Sequence, residues 1–301
     1  MPIAVAAPPE NVPVFSGFDY VTVDQARHRA YAAHTASKRL LIVDTTTGKV
    51  SGQVDVGPMH GVVVDPSTGM VFTGNGTDQS VSKVDPVAMT VVSSVDVPGD
   101  VDAMAYDPGL HRIYADQDNG GHVYVIDSTT MKQIATITMP SEDLESPSID
   151  PRSHVFYQNL ADKGAYAVVD PQTLKVVNVV KTPQLHDNHP LVFAQGPRVV
   201  LVGGKNALLS AYSPDGQHLG DATVQADIDQ CSTGAAGDAV ACAGNGVITV
   251  VKMEGKTPVV VGKLDTGKDI KTVGIDESTG DLWVVWSDAT GDYVQRLHWS
   301  P

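Results

Sequence analysis

Cysteine is scarce in this sequence, with two residues among 301, so neither a disulfide lattice nor a cysteine-based zinc finger can hold the fold. Positive charge is scarce as well: 20 Lys and Arg stand against 35 Asp and Glu, a formal net charge of −15. A surface of that sign repels phosphate backbones and anionic lipid at long range, which argues against a nucleic-acid partner. Aromatic residues make up 6% of the chain, thin for a platform that stacks glycans or single strands. No stretch approaches the roughly 18 uninterrupted apolar residues of a membrane helix, so no membrane span is expected. G-x-S-x-G, H-E-x-x-H, C-x-x-C, a P-loop and a dinucleotide fingerprint are all missing, and the common nucleophile, zincin and nucleotide classes therefore lack a motif. Asp116, Asp118, Gly121 and Asp127 have the outline of a calcium loop. Gly120 stands where a ligand is needed, however, and Asp127 replaces the closing Glu, so a Gly-rich turn is the better reading.

What the chain does have is a repeat. One copy reads Phe18-Asp-Tyr-Val-Thr-Val-Asp24, Arg29-Ala-Tyr-Ala-Ala-His34, Arg39-Leu-Leu-Ile-Val-Asp44 and Lys49-Val-Ser-Gly-Gln-Val54. The Asp closing its first segment recurs at Asp24, Asp65, Asp107 and Asp150, and the Asp closing its third at Asp44, Asp85, Asp127 and Asp170. Both series step by 41, 42 and 43 residues. Each Asp precedes a turn sequence, where its carboxylate can accept N–H bonds from two residues on, so a structural role is expected for both series. The segments between are β-branched and alternating, as half-buried strands are. No helix-period stretch competes, and no linker divides the chain.

The pattern predicts an all-β fold: one seven-bladed β-propeller over residues 1–301 with four-stranded antiparallel blades. The expected blades are roughly 18–56, 60–97, 101–138, 145–180, 189–224, 228–264 and 270–298. The last copy stops one strand short, and residues 11–16, around Val12 and Phe15, are expected to complete it. Pairing the chain ends in this way keeps the ring from opening at its seam. A monomer is expected.

Phe72-Thr-Gly-Asn75 followed by Ser80-Val-Ser-Lys-Val-Asp85, with the Asp-x-x-Thr-Gly-Lys-Val pattern from Asp44 to Val50, resembles the YVTN-repeat, or YncE-like, β-propellers. The similarity extends over nearly the whole chain, although blades five and six lack the Asp-Pro turn. These are turn and strand signatures, specific for fold and poor for function. Members of that family are typically exported or cell-envelope proteins, so the resemblance implies a periplasmic or secreted location. The start agrees with this if Ala4-Val5-Ala6 is the small-residue end of a leader replaced by Met1; the alternative is a native cytosolic start. Cys231 and Cys242 flank the turn at 234–238 and can meet across adjacent strands as a disulfide, or remain two buried thiols.

A propeller gathers the loops leading into its innermost strands around the central channel. Counting five residues back from each first-strand Asp gives Asp19, His60, Asp102, Glu145 and Lys271. In the degenerate copies the equivalents are His189 (or Asn188) and Asp229 (or Gln230). Every unambiguous position is ionisable, as expected of a polar binding site at a channel mouth. The loops between second and third strands are expected to add His34, Asn75, Asp116, Asn159, Asn245 and Trp286. The candidate ligand-binding set is therefore Asp19, His34, His60, Asp102, Glu145, His189, Asp229 and Lys271. His34, His60 and His189 are candidates to hold a divalent metal with a carboxylate, and His60, Glu145 and Lys271 are candidate acid/base groups. His28, His111 and His154 fall in turns on the opposite face. The function expected is binding of a small polar ligand, a metal or a protein partner at this face. The alternative is a metal-assisted or acid/base hydrolase, lactonase or lyase using the same ring. Fold alone does not choose between them.

Overall fold

The computed structural model describes residues 3–12, 17–234 and 236–300. In the first repeat Val21–Asp24, Arg29–His34, Arg39–Asp44 and Lys49–Asp55 pair antiparallel in chain order. Alternate residues of its two middle strands face opposite neighbours, as the pleat requires. Tyr31, Ala33, Leu40 and Ile42 pack on Val62, Val71 and Val84 of the second blade. Ala30, Ala32, Leu41 and Val43 pack on Trp283, Val285 and Val294 of the seventh. A sheet buried on both faces must be flanked on both sides, and radial repetition supplies the flanks. The described residues form seven such sheets, whose inner strands touch in a closed cycle from Val21–Asp24 round to Val273–Asp276.

The Asp turns are built as their sequence implies. Asp65 Oδ1 accepts from Ser67 N at 2.9 Å, Asp150 Oδ1 from Arg152 N at 3.0 Å and Asp44 Oδ1 from Thr47 N at 2.8 Å. The sixth blade, which has no such Asp, borrows Glu277 from the seventh: its carboxylate accepts from Ala236 N, Gly237 N and Ala239 N at 2.8–3.1 Å.

The last blade is completed from the N-terminus, by Asn11 and Val12 of the expected segment together with residues upstream of it. Ile3–Val5 and Glu10–Val12 pair in turn with Gly291–Trp299; of the expected segment 11–16, residues 13–16 lie outside the described residues. Burial explains the choice, because Ile3 and Val12 are 4% and 1% exposed. Glu10 ties this strand to the first blade by accepting from Val50 N at 2.9 Å. In blades one to six the pairing of third and outer strands slips by one residue at a β-bulge. Such breaks blunt edges that would otherwise template another strand.

Cys231 and Cys242 stand directly opposite on neighbouring strands and are joined as a disulfide. It closes a loop of sequence separation 11 within one hairpin, so the entropy removed from the unfolded chain is modest. Replacing both cysteines by Ser should cost about 2 kcal/mol, measured as a difference in urea unfolding free energy between the oxidised protein and the double variant.

Candidate functional site

Each inner strand starts at the same end of the axis, and the residues preceding or opening these strands line one cavity of about 250 Å³. Asp19, Asp102, Glu145, His189, Asp229 and Lys271 all border it, with Tyr20, Gln230 and Thr272. His60 stands beside them with its Nδ1 2.7 Å from Asp19 Oδ2 and 3.7 Å from Asp102 Oδ1. Its ring presses so closely on Gly76 that a Cβ there would lie 2.8 Å from it. Where the degenerate blades left two choices, His189 and Asp229 face the cavity and Gln230 joins them. Asn188 is buried and donates to Thr182 Oγ1 at 2.8 Å.

Around the ring the residues form two sets of the same kind, each an imidazole between two carboxyls. In one, His60 lies between Asp19 and Asp102. In the other, His189 Nε2 is 3.1 Å from Asp229 Oδ1, and its Nδ1 is 3.0 Å from Glu145 Oε1, off the line that a good hydrogen bond needs. Burial opposes charge on His189, but its contacts with the Asp229 and Glu145 carboxyls prevail and raise its pKa to about 10. The hydrogen bond to Asp19 likewise raises His60 against the effect of burial. Burial and then the Asp19 charge push the Asp102 carboxyl up to about 7, despite the pull of His60. Burial also raises Glu145, only partly offset by His189. Four carboxyls thus face two imidazoles and, among the described residues lining the cavity, one lysine.

The structure corrects the expected metal trio. His34 is fully buried, its Nε2 2.8 Å from Asp292 Oδ2 and its ring stacked on Phe18 at 4.3 Å; it belongs to the contact between the first and last blades. His189, held protonated at neutral pH, would have to release a proton to bind a metal. Among the described residues, the group whose ligand atoms approach one another within 4.8 Å is Asp19, His60 and Asp102. Of the second loop set, Asn75, Asp116 and Asn159 are buried and do not border the cavity, Trp286 is buried at an adjoining pocket that it shares with Lys271 and Thr272, and Asn245 is exposed. Asn75, Asp116 and Asn159 lie at or next to the ends of the second strands, one layer farther from the axis.

Tyr20 was not singled out by the repeat pattern, yet it lines the cavity. Its hydroxyl is 3.1 Å from Ser146 Oγ, a bond from the first blade to the fourth that crosses the axis just beneath the ring. Burial, then Asp102 and Asp19, hold its phenol well above the ordinary tyrosine range, so it remains a neutral donor. No spacing rule marks it, because the bond depends on closing the ring.

No family model and no curated protein matches the chain. Among solved structures it is similar to hydrazine synthase from Kuenenia stuttgartiensis, with a TM-score of 0.79 and 14% identity over 97% of this chain and 98% of that one. At that identity the likeness shows the fold alone, a β-propeller. No helix among the described residues is long and apolar enough to cross a membrane.

Proposed function

We propose that the protein binds a small, positively charged ligand in the axial cavity, and that the donor set Asp19, His60 and Asp102 suits a divalent metal ion. One observation carries this reading: Asp102 is buried beside the Asp19 carboxylate in a cavity whose carboxyls outnumber its positive groups, and it holds a proton up to about pH 7. An arriving cation supplies the missing charge and displaces that proton. One imidazole with two carboxylates is a nitrogen and oxygen set that first-row divalent metals accept.

The pH dependence separates a metal from an organic ammonium. Below pH 7 the apparent affinity should rise by up to about tenfold per pH unit as Asp102 gives up its proton, and that contribution flattens above. An ammonium ligand leaves His60 protonated and releases about one proton. A metal on His60 Nδ1 displaces the imidazole proton as well, making the slope steeper. Calorimetric titration of Mn²⁺, Zn²⁺ and short amines, in buffers of differing ionisation enthalpy, reads both quantities. Tight binding that is indifferent to pH between 5 and 8, or no binding by any of these cations, overturns the reading.

A second reading draws on the same pair. A carboxyl that titrates at about 7 beside an imidazole is poised to exchange protons with a substrate, as in an acid/base hydrolase, lactonase or lyase. Turnover in a panel of lactones and esters, lost in His60→Ala at unchanged melting temperature, would favour it. The cross-strand disulfide suits an oxidising compartment. Together with the motifs that resemble YVTN-repeat propellers, it supports a periplasmic or secreted protein, and recovery from the cytosolic fraction of the native host would count against that location.

A further inference from the structure

The ring residues are held in two different ways. Around part of the axis ordinary main-chain bonds do it: Asp19 N donates to Ala33 O, His60 N to Gly74 O and Asp229 N to Ala243 O, each at 2.9 Å. In blades three, four and five the ladder is interrupted at the same level. The strand pairing skips between Val101 and Met104, between Glu145 and Pro147, and between Asn188 and Leu191. Asp102, Glu145 and His189 project from these irregular stretches, where the extra residue turns a side chain out of the pleat.

Buried side chains occupy the gaps. Asp116 Oδ1 accepts from Ala103 N at 2.6 Å, next to Asp102. Gln158 Nε2 donates to Asp116 Oδ2 at 3.0 Å and to the backbone oxygen of Glu145. Asn159 Nδ2 donates to the backbone oxygen of His189 at 2.9 Å. All three side chains are fully buried, so none is a surface group that happens to lie nearby. A buried polar group without partners is costly, and hydrophobic side chains of similar size would fill the same space without that risk.

We infer that Asp116, Gln158 and Asn159 are positioning residues, a buried carboxyl and amide chain that takes over from the strand ladder and fixes the backbone from which Asp102, Glu145 and His189 reach the cavity. The inference concerns the cavity in which cation binding is proposed, and its test is read on ligand-free protein. His189 stays charged to about pH 10 because it is kept against Asp229 and Glu145. In Asn159→Leu the bond to its carbonyl is lost, and in Gln158→Met the bond to the carbonyl of its partner Glu145 is lost. Either change should lower the His189 titration midpoint, followed by NMR of the imidazole carbons, by about one pH unit or more.

Where leucine prevents folding, Asn159→Ser removes the same amide and must give the same displacement. A His189 midpoint unmoved in folded variants overturns the inference and leaves these residues as core packing. A wild-type protein that binds neither Mn²⁺, Zn²⁺ nor a short amine overturns the functional reading instead, and leaves the titration result standing.

Discussion

Asp102→Asn should abolish cation binding and at the same time make the free protein more stable at pH 8. The first effect follows from removing a charge and a ligand atom from the centre of the site, a loss of roughly a hundredfold or more in affinity. The second follows from the cost of keeping that carboxyl ionised. A group that titrates near 3.8 when exposed and at about 7 here holds a proton that the unfolded chain has already released. Wild-type stability therefore falls as the pH rises from about 4 to about 7, and stays at the lower value above. Asparagine carries no such proton. The gap corresponds to on the order of 4 kcal/mol, and partial solvent contact reduces it to about 2. Urea unfolding of both proteins at pH 3.5 and pH 8 measures it: the difference should be near zero at the lower pH and fully present at the higher. Equal stabilities at pH 8 would show that Asp102 is not held ionised at a cost, and the argument for a missing cation would go with it.

Val12→Asp should be the most damaging single change at the seam. Val12 is 1% exposed and packs among Val21, Trp283, Val285 and Val294. Its strand partner is Asp292, a carboxylate that is itself buried. A second carboxylate there meets apolar walls and a like charge, at a cost of about 3–5 kcal/mol. Val5→Asp provides the control from the other N-terminal strand, Ile3–Val5. Val5 is 63% exposed, and its substitution should change stability by less than about 0.5 kcal/mol. Urea midpoints of the two variants decide the matter. Equal midpoints would mean that Glu10–Val12 does not close the ring in solution.

The sequence revealed the blades because turn chemistry is local. An Asp that caps its own turn must stand at the same place in every copy, and Asp24, Asp65, Asp107 and Asp150 do. Counting back from those turns reaches the residues at the cavity because the stretch from mouth to turn Asp has the same number of residues in those copies, although the paired strands within it differ in length. The reading weakened where a neighbour supplies what the copy lacks, as Glu277 does for the turn of the sixth blade. It failed for His34 and Tyr20, whose surroundings come from the far end of the chain and from across the ring. Gln158 was hidden, and Asp116 was expected at the mouth instead of beneath it, for a related reason. Their partners are backbone groups left free by irregular pairing, which no pattern of side chains announces.

The bond between Tyr20 and Ser146 has a mechanical consequence. It braces the first blade against the fourth, so that outward movement of one resists being made without the other, and the spacing of the acidic groups just above is held by both sides of the ring together.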